Sequence, residues 1–428
     1  MDFLTVPSAP WLGIASFVPV LPHGSSAPLR QRRWQLEWST VCALGPRTCS
    51  ESTAASLCTS RCGRGPSSSV SRAASRAAVA LASVSVASTA SRQRRLRRAP
   101  GAPSDFLAHV VGLGIGGLEL RRFLRASARA PRASLHVNAL KAPAELLERL
   151  AAAGWKLTPT PWCSEGVFVD GGPWTARSGK SIGSGGIGQT LVHLTGQVYS
   201  QESTSMLPFE AWENSTVPAM EASNNNSNNK TPHGPDGHVL RVLDLCAAPG
   251  SKTTQIGAWL RGSGLLVANE VDPERARALR KNLFRAGITN CFVTCADGRE
   301  FGSLAPDGFD IVLADVPCSA EGNVRKHPDS LDQWLDPSHQ RRLDDMSSRQ
   351  FELLMSGWRA LRPGGRLVYS TCTLNNLENE GQCSKLLEAD SRARIVDLGR
   401  LLGLQQFTSA EGFLRVWPQT FDTEGFFV

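Results

Sequence analysis

Two cysteines, Cys318 and Cys372, close apolar runs of strand-like character, "FDIVLADVPC" and "RLVYSTC", and Asp315 stands three residues before the first. A free cysteine is ordinarily buried and inert. Two at strand ends beside a carboxylate fit a more demanding task, methylation of a pyrimidine at carbon 5. That carbon is a poor nucleophile. A thiolate that adds to carbon 6 turns the ring into an enamine able to attack a methyl donor. A carboxyl group near ring N3 steadies the adduct, and a base must then take the C5 proton so that the thiol can leave. The residues alone leave open which cysteine attacks.

A donor site is legible upstream. "LDLCAAPGSKT", residues 243–253, reads as a strand, a tight loop of small residues and a helix start. Ligands of wound sheets bind at the carboxyl ends of strands, which places Cys246, Ala247, Ala248, Pro249, Gly250, Ser251 and Lys252 against the ligand. The spacing is neither that of a phosphate loop nor that of a dinucleotide fingerprint. Glu270 ends the next strand in "ANE", placed for ribose hydroxyls, and Asp297 ends the third in "ADGR", placed for an adenine amino group. Together they describe an adenosyl pocket without a pyrophosphate cradle, which points to S-adenosylmethionine. Arg325, Lys326 and His327 in "NVRKHP" stand where a phosphate would lie beside a flipped nucleotide. The basic stretch "RALRKNLFR" reads instead as the solvated face of a packed helix.

These residues need a scaffold. From residue 238 short apolar runs alternate with helical stretches, the pattern of a doubly wound, Rossmann-like α/β sheet of the class I methyltransferase type. Pro363–Gly364–Gly365 is expected to stop a helix around 341–361 and launch the strand that ends at Cys372. "FLRVWP" and "GFFV" are expected to form an antiparallel edge pair. Residues 103–210 read as a helical and α+β RNA-binding module, with "ASLHVNAL" and "VFVD" as strands around a helix in "APAELLERLAAAGW". Residues 211–237 are an Asn-rich, low-complexity insertion expected to be disordered, and 238–428 form the methyltransferase domain.

The first hundred residues differ in kind. Net charge is +8 over 428 residues, but residues 1–100 hold thirteen arginines, no lysine and three acids, a net of +10. The remainder carries −2, so nucleic acid can be met only by a local basic patch. The Ser-, Ala- and Arg-rich, acid-poor tract 1–102 has the composition of a disordered transit peptide. It predicts a mitochondrial or plastid address, with cytoplasm or nucleus as the alternative. The run "WLGIASFVPVL" is too short to span a bilayer, and no membrane partner is expected. Cys58 and Cys62 have no partner pair at zinc-ligand spacing, so no metal is expected. The remaining cysteines suit a reducing compartment.

The blocks "DLCAAPGSKTTQI", "ANE", "DVPCSAEGNVRKHPD" and "LRPGGRLVYSTCTLNNLENE" resemble the signature blocks of the RsmB/NOP2/Sun family of RNA (cytosine-5) methyltransferases. "LTPTPWCSEGVFV", "YSQESTSMLP" and "EGFLRVWPQTFDTEGFFV" resemble its bacterial small-subunit rRNA branch of the F type. The resemblance covers roughly residues 130–428. It implies Cys372 as the nucleophile and Cys318 as the second cysteine, which assists adduct breakdown. It implies the donor on Cys246–Lys252, Glu270, Asp297 and Asp315, with Lys252 also facing the target base. Two departures stand out. Ala320 follows "PCS", where the family usually has Gly, and "HVNALK" carries His136 and Ala139 in place of residues expected to face RNA. In the bacterial branch the chain continues past "GFFV" into a further RNA-binding extension. The expected function is S-adenosylmethionine-dependent cytosine-5 methylation of RNA, rRNA before tRNA, by a monomer. The alternative is a catalytically silent RNA-binding ribosome-assembly factor.

Overall fold

A computed structural model describes residues 102–172, 186–221 and 238–428. The expected transit peptide, most of the Gly-rich loop after Gly171 and residues 222–237 lie outside the described residues.

Two helices, α1 (Ser104–Gly112) and α2 (Gly117–Ser127), bury Phe106, Val110 and Phe123 against Leu374 of the wound region. An antiparallel sheet of order β2–β3–β1–β4 follows, built from β1 (Ala133–Val137), β2 (Lys156–Pro159), β3 (Gly166–Gly171) and β4 (Val198–Ser200). Helix α3 (Leu146–Ala152) lays Leu146 and Leu150 on Leu135, Val167 and Val169. The strand, helix and strand read from sequence are therefore joined by two further short strands.

Helix α4 (Leu207–Glu221) runs into the stretch expected to be disordered, so residues 211–221 are helical. Its first half carries Leu207, Phe209, Ala211 and Trp212, all buried in the main core. Once a helix is nucleated by such packing, each added residue costs little, and the polar residues continue it.

The wound region alternates β5 (Arg241–Asp244), α5 (Ser251–Leu260), β6 (Leu265–Asn269), α6 (Pro273–Ala286), β7 (Cys291–Thr294), β8 (Phe309–Asp315), α7 (His339–Ala360), β9 (Leu361–Ser370) and α8 (Glu380–Ala389). The five strands are parallel, in the order β7–β6–β5–β8–β9. Strand β8 is buried along six of its seven residues, as a strand must be when helices cover both faces of its sheet. The chain winds outward from β5 and then returns to β8 on its other side, which leaves a crevice at the carboxyl ends of β5 and β8.

Helix α6 shows why the basic stretch packs as it does. Asp272 caps its N-terminus, accepting from the Glu274 and Arg275 amides, and Gly287 ends it at φ +78°. Ala276, Leu279 and Leu283 form its buried stripe. Its last carbonyls are capped from the small sheet: Asn138 Nδ2 donates to Ala286 O at 2.8 Å and Lys141 Nζ to Arg285 O at 2.8 Å. The "HVNALK" block thus satisfies orphan carbonyls at a helix end and fixes the small sheet to the wound region.

The Pro363–Gly364–Gly365 turn lies inside a strand rather than before one. Leu361 pairs with Phe309 and Arg366 with Ile311, so residues 362–365 bulge out of β9. The strand ends at Ser370, two residues short of Cys372. The edge pair forms as expected: β10 (Arg415–Val416) runs antiparallel to β11 (Phe426–Phe427). Phe427 also exchanges both backbone hydrogen bonds with Thr371, at 3.1 and 3.0 Å.

Candidate active site

A cavity of about 460 Å³ opens at the carboxyl ends of the wound strands. Its lining includes Cys246, Ala248, Glu270, Asp297, Asp315, Cys318 and Cys372, so seven of the residues singled out from sequence meet at one place. Ala247 lies just beneath, packed with Leu279 and Leu283. Gly250 has φ +105°, and a Cβ there would stand 2.8 Å from Leu279 Cδ1, so glycine meets two constraints at once. Pro249 is exposed, and Ser251 opens α5. The loop is anchored by Asp244, which is 1 % exposed and accepts from Thr253 Oγ1 at 2.6 Å. Burial pushes its carboxyl up to about 7.

Glu270 is buried and accepts from the Asp272 amide at 3.0 Å. Arg275, which the sequence did not single out, approaches Glu270 at 3.3 Å and donates to Ala248 O at 2.8 Å. It joins the first two strand ends across the cavity. Asp297 is gripped by the backbone and guanidinium of Arg299, which hold its carboxyl below the usual range.

The far side of the cavity is a chain of polar contacts. Lys252, 7 % exposed, donates to Asp315 Oδ2 at 2.6 Å, and Ser370 Oγ donates to Asp315 Oδ1 at 2.7 Å. Beside them the sulfurs of Cys318 and Cys372 are 3.3 Å apart. Asn323 Nδ2 donates to the Cys372 sulfur at 3.2 Å, and the Gly322 amide donates to Cys372 O at 2.9 Å. The hydrogen bond to Cys372, followed by burial, pushes the Cys318 thiol well above its usual range. Either thiol can be the donor in their shared contact, and the Cys372 sulfur accepts a further hydrogen bond from Asn323. Asn323 was missed in the sequence because its loop was read for its basic residues.

Buried Glu378 holds the Cys318 loop. It accepts from the Ser319 amide at 2.9 Å, from the Ser319 hydroxyl and from Gln350 Nε2 at 2.8 Å. Burial raises its carboxyl above the usual range. Ala320 sits in that loop at φ +58°, in the left-handed region.

The basic triplet divides. Lys326 and His327 are exposed. Arg325 is not available to a phosphate: its side chain is fully buried and bonded to Arg129 O, Ala130 O, Thr423 O and Asp422. A buried guanidinium with five donors needs such partners, and the loop supplies them internally. His136, which stands in place of a residue expected to face RNA, is also buried, at 5 % exposure. It alternates with Leu135 along β1 and points away from the small core.

Residues 103–203 match the family described as N-terminal domain of 16S rRNA methyltransferase RsmF, and residues 235–428 match the family described as 16S rRNA methyltransferase RsmB/F. The chain belongs to the RsmB/F family. It is 43% identical over 329 residues to a protein named Ribosomal RNA small subunit methyltransferase F of Citrobacter koseri, and 42% identical over 329 residues to that of Escherichia coli O139:H28. Each match covers 76% of this chain and 62% of the relative, so the chain spans about three fifths of these relatives' length. A solved methyltransferase homolog protein from Pyrococcus horikoshii shares the fold, with TM-score 0.53, 27% identity and coverage of 76% of this chain and 97% of that one. The organelle address is overturned by these comparisons: the relatives that carry the family resemblance are bacterial proteins. An acid-poor Ser/Ala/Arg composition is a weak signal, since it constrains no contact. Among the described residues no helix is long and apolar enough to cross a membrane.

Proposed function

We propose that this RsmB/F-family chain methylates carbon 5 of a cytosine in RNA, rRNA before tRNA, using S-adenosylmethionine. The observation that carries the reading is the pair of sulfurs 3.3 Å apart, with Asn323 donating to Cys372 and the Lys252–Asp315 pair beside them. The cavity fits the donor. Its volume is in the range of ligand pockets, small residues allow close backbone approach, and Glu270 and Asp297 offer carboxylates to an adenosyl group. When bound, S-adenosylmethionine supplies an electrophilic methyl group.

Cys372 adds to C6 of a flipped cytosine, forming a C–S bond, and the C5–C6 π electrons become available at C5. Asp315, held by Lys252 and Ser370, faces the N3 edge of the ring and steadies the adduct. After methyl transfer a solvent water takes the C5 proton as base, the C–H electron pair re-forms the C5–C6 double bond, the C6–S bond breaks, and Cys372 departs as thiolate. Cys318, in contact with that sulfur, assists this breakdown. Working on a base ring requires taking the base out of its stack. Residues 103–210 serve as the RNA-binding module and 238–428 as the methyltransferase domain, with Lys326 and His327 toward the RNA backbone.

The test is transfer of labelled methyl to small-subunit rRNA by the full chain, with Cys372→Ala and Cys318→Ala beside the parent. Label in 5-methylcytosine is expected, abolished by Cys372→Ala. Cys318→Ala is expected to accumulate an RNA adduct that survives denaturation. RNA binding with neither label nor adduct would support the silent assembly factor instead.

A further inference from the structure

A second polar cluster lies away from the cavity, beneath the small sheet. His136 stands in the middle of β1, opposite Gly166 of β3 and Tyr199 of β4. Cys163 and Glu165 lie in the turn that leads into β3. The turn is fixed, because Thr160 Oγ1 and the Gly166 amide both donate to Cys163 O, at 3.0 and 3.1 Å. One donor atom from each of His136, Cys163 and Glu165 lies within 4.8 Å of the others. Glu210 of α4 is buried close by, with Gln255 Nε2 3.9 Å from the Cys163 sulfur. Gln255 Nε2 of α5 closes the cluster, 3.4 Å from Glu210 Oε1.

His136 and Cys163 are buried, at 5 % and 3 % exposure, as is Glu210 beside them, at 6 %. Glu165 is not buried, so the cluster meets solvent on that side.

We propose that His136, Cys163 and Glu165 form a site for a borderline divalent cation, with zinc the metal that fits. Imidazole, thiolate and carboxylate are zinc donors at about 2.0–2.3 Å, so the donors of a tetrahedral site stand roughly 3.3–3.6 Å apart. The observed spread asks for side-chain movement of about 1 Å. The metal forms bonds to one nitrogen, one sulfur and one oxygen, the thiol proton leaves to solvent, and a water from the open side completes four-coordination. It would tie β1 to the turn that leads into β3. Only one of the three ligands is a cysteine, which is why a search for cysteine pairs passed over them.

The full chain, stripped with a chelator, would be titrated with cobalt(II) and then with zinc. One cobalt per chain is expected, with tetrahedral visible bands and a thiolate-to-cobalt charge-transfer band that zinc abolishes. Cys163→Ser should lose the charge-transfer band, and Cys295→Ser, at an exposed cysteine outside the cluster, should keep it. His136→Asn should weaken zinc binding about tenfold or more. Absence of stoichiometric binding to the wild type, or a band that survives in Cys163→Ser, overturns the site. Should Cys163→Ser fail to fold, the wild type decides: the thiolate-to-cobalt band must appear at one cobalt per chain, and binding without that band rejects these ligands.

Discussion

The sulfurs of Cys318 and Cys372 are 3.3 Å apart although 54 residues separate them in sequence. They come from neighbouring parallel strands, β8 and β9, whose ends overhang the same crevice. The contact makes the two thiols unequal. Cys318, its pKa raised by the bond to Cys372 and by burial, should alkylate slowly. Iodoacetamide at neutral pH should label exposed Cys295 on the order of ten times faster than Cys318, read by peptide mass spectrometry. Equal rates would mean that the shared hydrogen bond does not persist in solution.

Asn323 donates to the Cys372 sulfur at 3.2 Å. Asn323→Ala removes a donor to that sulfur. Methyl transfer in a single turnover should fall about 10- to 100-fold, with the urea midpoint unchanged. A loss accompanied by a lower midpoint would point to a loop displacement instead.

Arg325 and Lys326 are neighbours in opposite settings, one buried and one exposed. Arg325→Met leaves several carbonyls without a donor and should cost about 3 kcal/mol of stability, seen as a lower urea midpoint. Lys cannot restore the forked contacts, so Arg325→Lys should recover little. Lys326→Ala should leave the urea midpoint in place, weaken RNA binding and reduce the salt dependence of that binding by about one charge.

Asp244 gives the stability a pH dependence. Its carboxyl titrates near 3.8 when unfolded and about 7 when folded, because of burial. The proton is bound more tightly in the folded chain. Its stabilising contribution is full below pH 3.8 and is lost as pH rises through 7, on the order of a few kcal/mol in all. Urea midpoints between pH 4.5 and 7.5 should therefore decline with a component that Asp244→Asn flattens.

Ala320 holds φ +58° in the Cys318 loop. A left-handed alanine costs roughly 1–2 kcal/mol, partly offset by the greater freedom of an unfolded glycine. Ala320→Gly should stabilise the chain by about 0.5–1 kcal/mol, measured by urea unfolding. From sequence this departure looked minor, because residue type does not reveal the backbone angle at which it sits.

What the sequence conveyed well was governed by period and position. The apolar runs of β5, β6 and β8 required a buried parallel sheet, and a parallel sheet carries its functional groups at the strand ends, where Cys246, Glu270, Asp297, Asp315 and Cys318 meet. What it conveyed poorly depended on partners remote in the chain. Arg325 looks like an RNA contact until Asp422 and the carbonyls of Arg129 and Ala130 close around it. The Asn-rich stretch looks unstructured because the apolar residues that anchor its helix precede it. His136 looks surface-borne until the side of β1 on which it falls is known.

The pairing of Phe427 with Thr371, and of Gly425 with Gly322, has a consequence for biosynthesis. The neighbours of Cys372 are completed by residues made more than fifty positions later. While the chain emerges from the ribosome, the loop after β5 and the first strands can form, but the mouth of the cavity waits for residues 423–428. A nascent chain therefore lacks the finished setting of Cys372, and any shortening that removes residues 423–428 should release a protein with its sheet intact and its cavity unlatched.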